Sequence, residues 1–219
     1  MRCLVTAGPT YEPLDNVRRL TNFSTGRLGS ELATALASQG HSVTLLLGEQ
    51  ATYQSERRVE KLERFSTNGD LENRVKALSA FGFQAVFHAA AVSDFKFGKV
   101  WHRSDPGSPG GIHSGKISTR EGTLLAELVP TPKIISRLRD WFPAAVVVGW
   151  KFEVEGTRSA VIELARAQIF ECRTNACVAN GPAYGPGFGV VTTGHNPIHA
   201  EDSAALYQAL NDLLAGRPT

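Results

Sequence analysis

Five short, mainly apolar runs, spaced by segments whose apolar residues recur every three to four positions, constrain this chain more than any other feature. The runs are Cys3-Leu4-Val5-Thr6-Ala7, residues 43–47 (VTLLL), Ala85-Val86-Phe87, residues 145–148 (AVVV) and residues 176–179 (ACVA). None alternates apolar with polar, so each reads as a strand covered on both faces. Between and after them, helical spacing links Leu28, Leu32, Ala35 and Leu36, then Leu71, Val75 and Leu78 behind Asp70. It returns in Ile134, Ile135, Leu138 and Phe142, in Val161, Ala165 and Ile169, and in Leu206, Leu210 and Leu213. Gly40 sits where the first helix needs its C-terminal cap. Thr131 is placed to cap another helix, with Pro132 at its first position. A helix between successive strands makes their pairing parallel. The expectation is an α/β fold: a doubly wound, mostly parallel, Rossmann-like sheet.

One segment breaks the pattern. From Phe97 to Gly122 the chain is polar and rich in Gly, Pro and His, which predicts a long flap between the third strand and the following helix. With 219 residues and no second shift in composition, the expectation is a single domain over 1–219 with this one excursion.

Charge and cysteine usage exclude several classes. The formal net charge is +2 and the basic residues are scattered, so no nucleic-acid partner is expected. No apolar run is long enough for a membrane, and no N-terminal targeting pattern appears, which places the chain in the cytoplasm. Cys3, Cys172 and Cys177 are too few and too irregular for a disulfide framework and read as reduced thiols. His88 reads as a strand residue, His102 and His113 lie on the flap, and His195 and His199 fall in a terminal turn, so no metal set is expected.

The chemistry concentrates in residues 15–29, DNVRRLTNFSTGRLG. Two arginines, an asparagine, small hydroxyls and glycines in a turn that opens a helix make a site for an anion, most simply a phosphate. Four further segments follow strands and should meet it at one edge of the sheet: residues 7–10, 91–94, 149–152 and 180–182. A dinucleotide fingerprint is missing, because the first strand ends in TAGPTYEP and Pro9 removes a donor that G-x-G-x-x-G would supply. A Tyr-x-x-x-Lys pair is missing too, which argues against a short-chain oxidoreductase.

DNVRRLTNFSTGRLG, HAAAVSDF, GKIS, TPKIISRLRDW, VGWKFEVEG and CVANG, in that order and spacing, resemble the phosphopantothenate–cysteine ligase family of coenzyme A biosynthesis, also called phosphopantothenoylcysteine synthetase. The similarity runs from the first strand to about Asn180 and is greatest to the stand-alone form, whose flavin-dependent decarboxylase partner would be a separate enzyme. The resemblance implies that the carboxylate of 4′-phosphopantothenate attacks the α-phosphate of CTP, or alternatively ATP, with Mg²⁺. L-cysteine then displaces the nucleoside monophosphate. It also implies a homodimer, through strands flanking the flap.

By the same resemblance, Asn22 holds the acyl-nucleotide and Lys116 serves its conversion, both catalytic. Arg18, Ser24, Thr25, Gly26, Ala90 and Ala91 contact the acyl substrate. Gly8, Asp94, Lys116, Thr131, Pro132, Lys133, Ile134, Trp150 and Lys151 contact the nucleotide, whose phosphates carry the Mg²⁺. One departure stands out. Two phosphate-binding lysines of the fused bacterial enzymes correspond to Gln168 and Cys172 here, leaving Arg166, Arg173, Lys133 or Lys151 to supply the charge. A non-catalytic module that binds a nucleotide or a coenzyme A precursor is the second reading.

Overall fold

The computed structural model describes residues 1–56, 58–103, 111–112, 114–118, 120 and 122–216. His113 and part of the expected flap therefore lie outside the described residues.

Strand β1 (Arg2–Ala7) is followed by a small hairpin of β2 (Tyr11–Pro13) and β3 (Arg19–Thr21), then by α1 (Arg27–Ser38) and β4 (Ser42–Gly48). Next come β5 (Lys61–Phe65), α2 (Asn68–Leu78), a 3-10 turn and β6 (Ala85–His88). A two-stranded ribbon of β7 (Phe95–His102) and β8 (Leu124–Pro130) intervenes before a 3-10 turn (Ile134–Arg137) and the single-turn α3 (Leu138–Trp141). β9 (Val146–Phe152), α4 (Arg158–Cys172), β10 (Ala176–Asn180), β11 (Phe188–Thr192), β12 (Ile198–Ala200) and α5 (Ser203–Leu214) follow.

The eight-stranded central sheet has the order β12-β11-β10-β9-β6-β1-β4-β5. β10, β9, β6, β1, β4 and β5 run parallel, and β11 and β12 close one side antiparallel. The Rossmann-like α/β sheet expected from the apolar runs is present, with β1 paired to β4 in parallel across Arg2–Ala7. Successive residues of a strand enter opposite cores. Val5 and Val148 meet Leu32, Leu36, Leu206 and Leu210 of α1 and α5. Leu4 and Val147 meet Leu71 and Val75 of α2 together with Ile134 and Leu138. α4 covers Cys177, Ala179 and Val191 through Val161, Ala165 and Ile169. Each fully buried Leu, Val or Phe contributes roughly 1.5–3 kcal/mol over exposure, which is why no alternation survives in these strands.

Several local expectations need correction. Residues 15–29 are not one helix-opening turn. Arg19–Thr21 pairs with Tyr11–Pro13, and α1 begins only at Arg27 behind Gly26. The flap does not start as a loop, since Phe97 already lies in β7, and it returns through β8. Thr131 does not cap a helix. Its N–H is donated to the Asp94 carbonyl and its hydroxyl to the Ser93 carbonyl, so helical structure starts one turn later, at Ile134. Trp150, Lys151 and Asn180 lie within β9 and β10 rather than beyond them. His199 lies in β12, its Nδ1 3.0 Å from the Tyr184 hydroxyl. Gly40 does follow the α1 C-cap with φ +85°, its N–H donated to Ala37 and that of His41 to Leu36.

Candidate functional site

The strand order reverses direction between β1 and β6, which opens a crevice at their carboxyl ends. Pro9 and Ala91 form an isolated parallel bridge there. The Ala91 N–H is donated to the Gly8 carbonyl at 3.0 Å, and the Ala91 carbonyl accepts the Thr10 N–H at 3.1 Å. The same carbonyl accepts the Asn22 side-chain amide at 3.0 Å. Asn22 is thus held over Ala91 by its nitrogen, with its exposed neighbours Phe23 and Leu20 facing outward. The hairpin carrying it is anchored by Thr21, whose hydroxyl donates to the Thr10 carbonyl at 2.8 Å.

Beneath this point lies a buried polar knot that sequence reasoning missed. The Ser93 N–H is donated to Thr10 Oγ1 at 2.8 Å. Asn68 donates its backbone N–H to Glu12 Oε1 at 2.9 Å and its side-chain amide to the Pro132 carbonyl at 3.1 Å. Thr10, Glu12, Asn68 and Ser93 are all buried, so these bonds tie the post-β1, post-β6 and Thr131–Pro132 segments into one unit. Glu12 and Asn68 carry no motif of their own; only their burial reveals them.

The expected substrate residues gather on one side of this unit. Ser24 and Thr25 lead into α1, their hydroxyls accepting the N–H groups of Gly26 and Arg27 at 3.4 and 3.3 Å. Gly26 is the N-cap and brings no side chain to the helix end. Ala90 donates its N–H to Thr6 Oγ1 at 3.2 Å, and that hydroxyl lies 2.9 Å from His88 Nδ1. Burial pushes the His88 imidazole down to about 4, so the ring is neutral. Arg18 is bound to Asp15 through Nε and Nη2, and Nη2 also donates to the Ile117 carbonyl at 2.7 Å. Lys116 is thereby next in sequence to a residue fastened to Arg18, and it is exposed.

Across the crevice, Asp94 is exposed at the start of the ribbon, and Ile134 is buried behind Thr131, Pro132 and Lys133. Trp150 packs half-buried against the α1 and α5 core, with its Nε1 buried and unpartnered among the described residues. Lys151 pairs with Glu153 at 3.1 Å.

The departure at Gln168 and Cys172 now has a physical shape. Gln168 turns its amide inward, donating to Cys177 Sγ at 3.2 Å, and Cys172 is buried. A Cβ on Gly149 would stand 2.5 Å from both Gln168 Nε2 and Ile135 Cδ1, so this side chain lies close on β9. Burial pushes the Cys172 thiol up, Glu171 adds to the rise, and the positive charges of Lys133 and Lys151 oppose it. Lys151 likewise opposes the burial that pushes Cys177 up to about 12. Arg166 pairs with Glu163 at 2.7 Å and Arg173 with Asp140 at 2.6 Å, and both line a cleft of about 400 Å³ that also includes Asn175, before the amino end of β10. No group of three or more His, Cys, Asp or Glu side chains among the described residues could hold a metal ion. No helix among them is long and apolar enough to cross a membrane.

Comparison with known proteins agrees with this architecture. The coenzyme A biosynthesis bifunctional protein CoaBC of Thermococcus kodakarensis is 34% identical over 182 residues, which cover 82% of this chain and 41% of that protein. The chain thus spans about two fifths of the length of curated relatives that it matches. The solved structure of the DNA/pantothenate metabolism flavoprotein from Streptococcus pneumoniae superposes with a TM-score of 0.84 at 24% identity, covering 99% of this chain and 100% of that one. A Cab2 mutant in complex with phosphopantothenate-cysteine superposes with a TM-score of 0.72 at 21% identity, covering 98% and 87%. The sequence pattern of the DNA/pantothenate metabolism flavoprotein C-terminal domain spans residues 1–209, and the chain belongs to that family.

Proposed function

We propose that this chain is a phosphopantothenate–cysteine ligase of coenzyme A biosynthesis. The observation that carries the reading is the convergence of Asn22, Ala91 and the Lys116 loop at the reversal point of a family sheet. Two relatives point the same way: CoaBC is named for coenzyme A biosynthesis, and the Cab2 structure contains phosphopantothenate-cysteine.

In this reading the 4′-phosphopantothenate carboxylate attacks the α-phosphorus of CTP, with ATP as the alternative, and pyrophosphate leaves. The amine of L-cysteine then adds to the acyl carbonyl and the nucleoside monophosphate leaves with its electron pair. The first step drives a carboxylate against a polyanion, so positioning and cations dominate over proton transfer. Asn22 holds the mixed anhydride by donating the second hydrogen of its side-chain amide to a carbonyl or phosphoryl oxygen, the first being given to Ala91. Arg18, Ser24, Thr25, Gly26, Ala90 and Ala91 surround the acyl substrate. Gly8, Asp94, Thr131, Pro132, Lys133, Ile134, Trp150 and Lys151 form the nucleotide side, and Lys116 stabilises charge during conversion. Lys133 and Lys151 take over the phosphate contacts that Gln168 and Cys172 cannot make. Mg²⁺ enters with the nucleotide phosphates, which are hard oxygen ligands for it.

The three free, buried cysteines suit a reducing cytoplasm. On the ribbon, Phe95, Leu125, Leu128 and Val129 are each 38–53% exposed, which supports a homodimer formed through it. A purely binding role is disfavoured because the cations expected of an enzyme are present on β9 and before Ile134. Pyrophosphate release in the presence of 4′-phosphopantothenate, Mg²⁺ and cysteine, with CTP and ATP run in parallel, tests the proposal. Release that needs both the acid and one nucleotide is expected; silence with both from folded protein would leave only the binding role.

A further inference from the structure

Two chain segments about a hundred residues apart meet on one carboxylate. The Asp15 side chain has no exposed surface. Its Oδ1 accepts the N–H groups of Val17 at 2.9 Å and Arg18 at 2.7 Å, which closes the local loop between β2 and β3. Its Oδ2 faces the other way. It accepts the Ile117 N–H at 3.1 Å and the guanidinium of Arg18, whose Nη2 donates onward to the Ile117 carbonyl. Both backbone groups of Ile117 are therefore spent on an ion pair rather than on a strand. Asn16 adds a second tether, its N–H donated to the Gly115 carbonyl at 3.0 Å. Lys116 lies between these two anchors, its own turn closed by the Ser114 hydroxyl donating to the Lys116 carbonyl at 2.8 Å.

A residue needed only for the local loop would use one oxygen. Asp15 uses both, and Oδ2 reaches the Ile117 segment as well as Arg18. The Arg18 guanidinium does most to hold its carboxyl far below the ordinary range; burial opposes this, and the N–H groups of Val17, Ile117 and Arg18 add to it. We propose that Asp15 is a positioning residue that fastens the Lys116 loop to the hairpin carrying Arg18 and Asn22, so that Lys116 reaches the acyl-nucleotide from a fixed backbone. This rests on the ligase reading given above. Asp15 touches no reacting atom in this scheme; it acts through Ile117 and Arg18.

Asp15→Asn separates the two duties. An amide keeps an oxygen for the local N–H groups but turns an NH₂ toward Ile117 and Arg18, where only donors wait. Two measurements on the full chain test the proposal: exchange of the Ile117 amide proton, and single-turnover kinetics resolving pyrophosphate release from ligation. Losing hydrogen bonds to a charged group predicts Ile117 exchange at least about tenfold faster and ligation at least about tenfold slower. Pyrophosphate release should fall by clearly less than ligation, a split that general loosening of the fold would not produce. Unchanged exchange would overturn the clamp, and faster exchange with unchanged ligation would overturn its positioning role. A native chain without any pyrophosphate release would instead sink the ligase reading, and the exchange result would still decide the clamp. Should Asp15→Asn fail to fold, Asn16→Pro deletes one tether at an exposed position. It should shift exchange and ligation in the same directions by about threefold, and no shift would overturn the proposal.

Discussion

The side-chain nitrogen of Asn22 lies 3.0 Å from the carbonyl oxygen of Ala91, joining the hairpin to the segment after β6. This single bond orients the Asn22 amide, leaving its second N–H available to donate to a ligand. Asn22→Asp replaces the donor by a second anionic oxygen facing a carbonyl, beside the site proposed for an anionic intermediate. Ligation should fall by about a hundredfold or more, the usual cost of removing one preorganised donor. The melting temperature should move little, because the side chain is exposed. A variant retaining normal turnover would remove Asn22 from the mechanism.

The cation question can be put to four residues at once. Lys133→Met or Lys151→Met should raise the nucleotide KM by about tenfold or more, in line with one lost charge-assisted contact. Arg166→Met and Arg173→Met should leave it within roughly twofold, since both arginines line the cleft beside Asn175, before the amino end of β10 and not at the carboxyl ends of the strands. The opposite ranking would return the phosphates to α4.

Gly29 carries α1 onto β1. A Cβ there would stand 2.6 Å from Ala7 Cβ and 3.2 Å from the Thr6 carbonyl oxygen, and neither can rotate away. Alanine brings up to about 1 kcal/mol of helix propensity, but overpacking against backbone costs about 1–3 kcal/mol. Gly29→Ala should therefore lower the melting temperature by roughly 2–8 °C, read by calorimetry. A rise would show that α1 can slide freely over the strand.

His88 links stability to pH. The unfolded imidazole takes up a proton near pH 6.5, whereas burial holds the folded one at about 4. Between these values the unfolded state binds more protons, so stability falls as pH drops from 6.5 toward 4, by at most about 3 kcal/mol in total. His88→Gln should flatten the melting temperature over that interval relative to the native chain. Equal slopes for the two would mean that other groups carry the acid sensitivity.

What the sequence reveals here follows from range. The β1, β4, β6, β9 and β10 cores are legible because fully buried parallel strands leave continuous apolar runs, and Val5, Leu46, Phe87, Val147 and Val178 are all buried as those runs require. β5 is invisible because KLERF lies at the sheet edge and is mostly exposed, with only Phe65 fully buried. β2 and β3 are three residues each and take their shape from a pairing partner, not from a pattern. In the site, Asn22 and Lys116 stand out through motifs. Glu12 and Asn68 do not, because a polar residue buried by long-range contacts has no local signature. The inward turn of Gln168 is likewise set by Cys177 and Gly149, which only the tertiary contact brings together.

The two borders of the central sheet differ from each other and neither invites a further strand. On one side β5 presents Lys61, Glu63 and Arg64, and on the other β12 is three residues long. A charged border and a truncated one both resist main-chain pairing with another molecule. Crowding in a cell or during refolding should therefore not drive these sheets to fuse into extended ladders. Contact between copies at either border of the central sheet must instead be made by side chains, which gives it a defined partner face and a finite size.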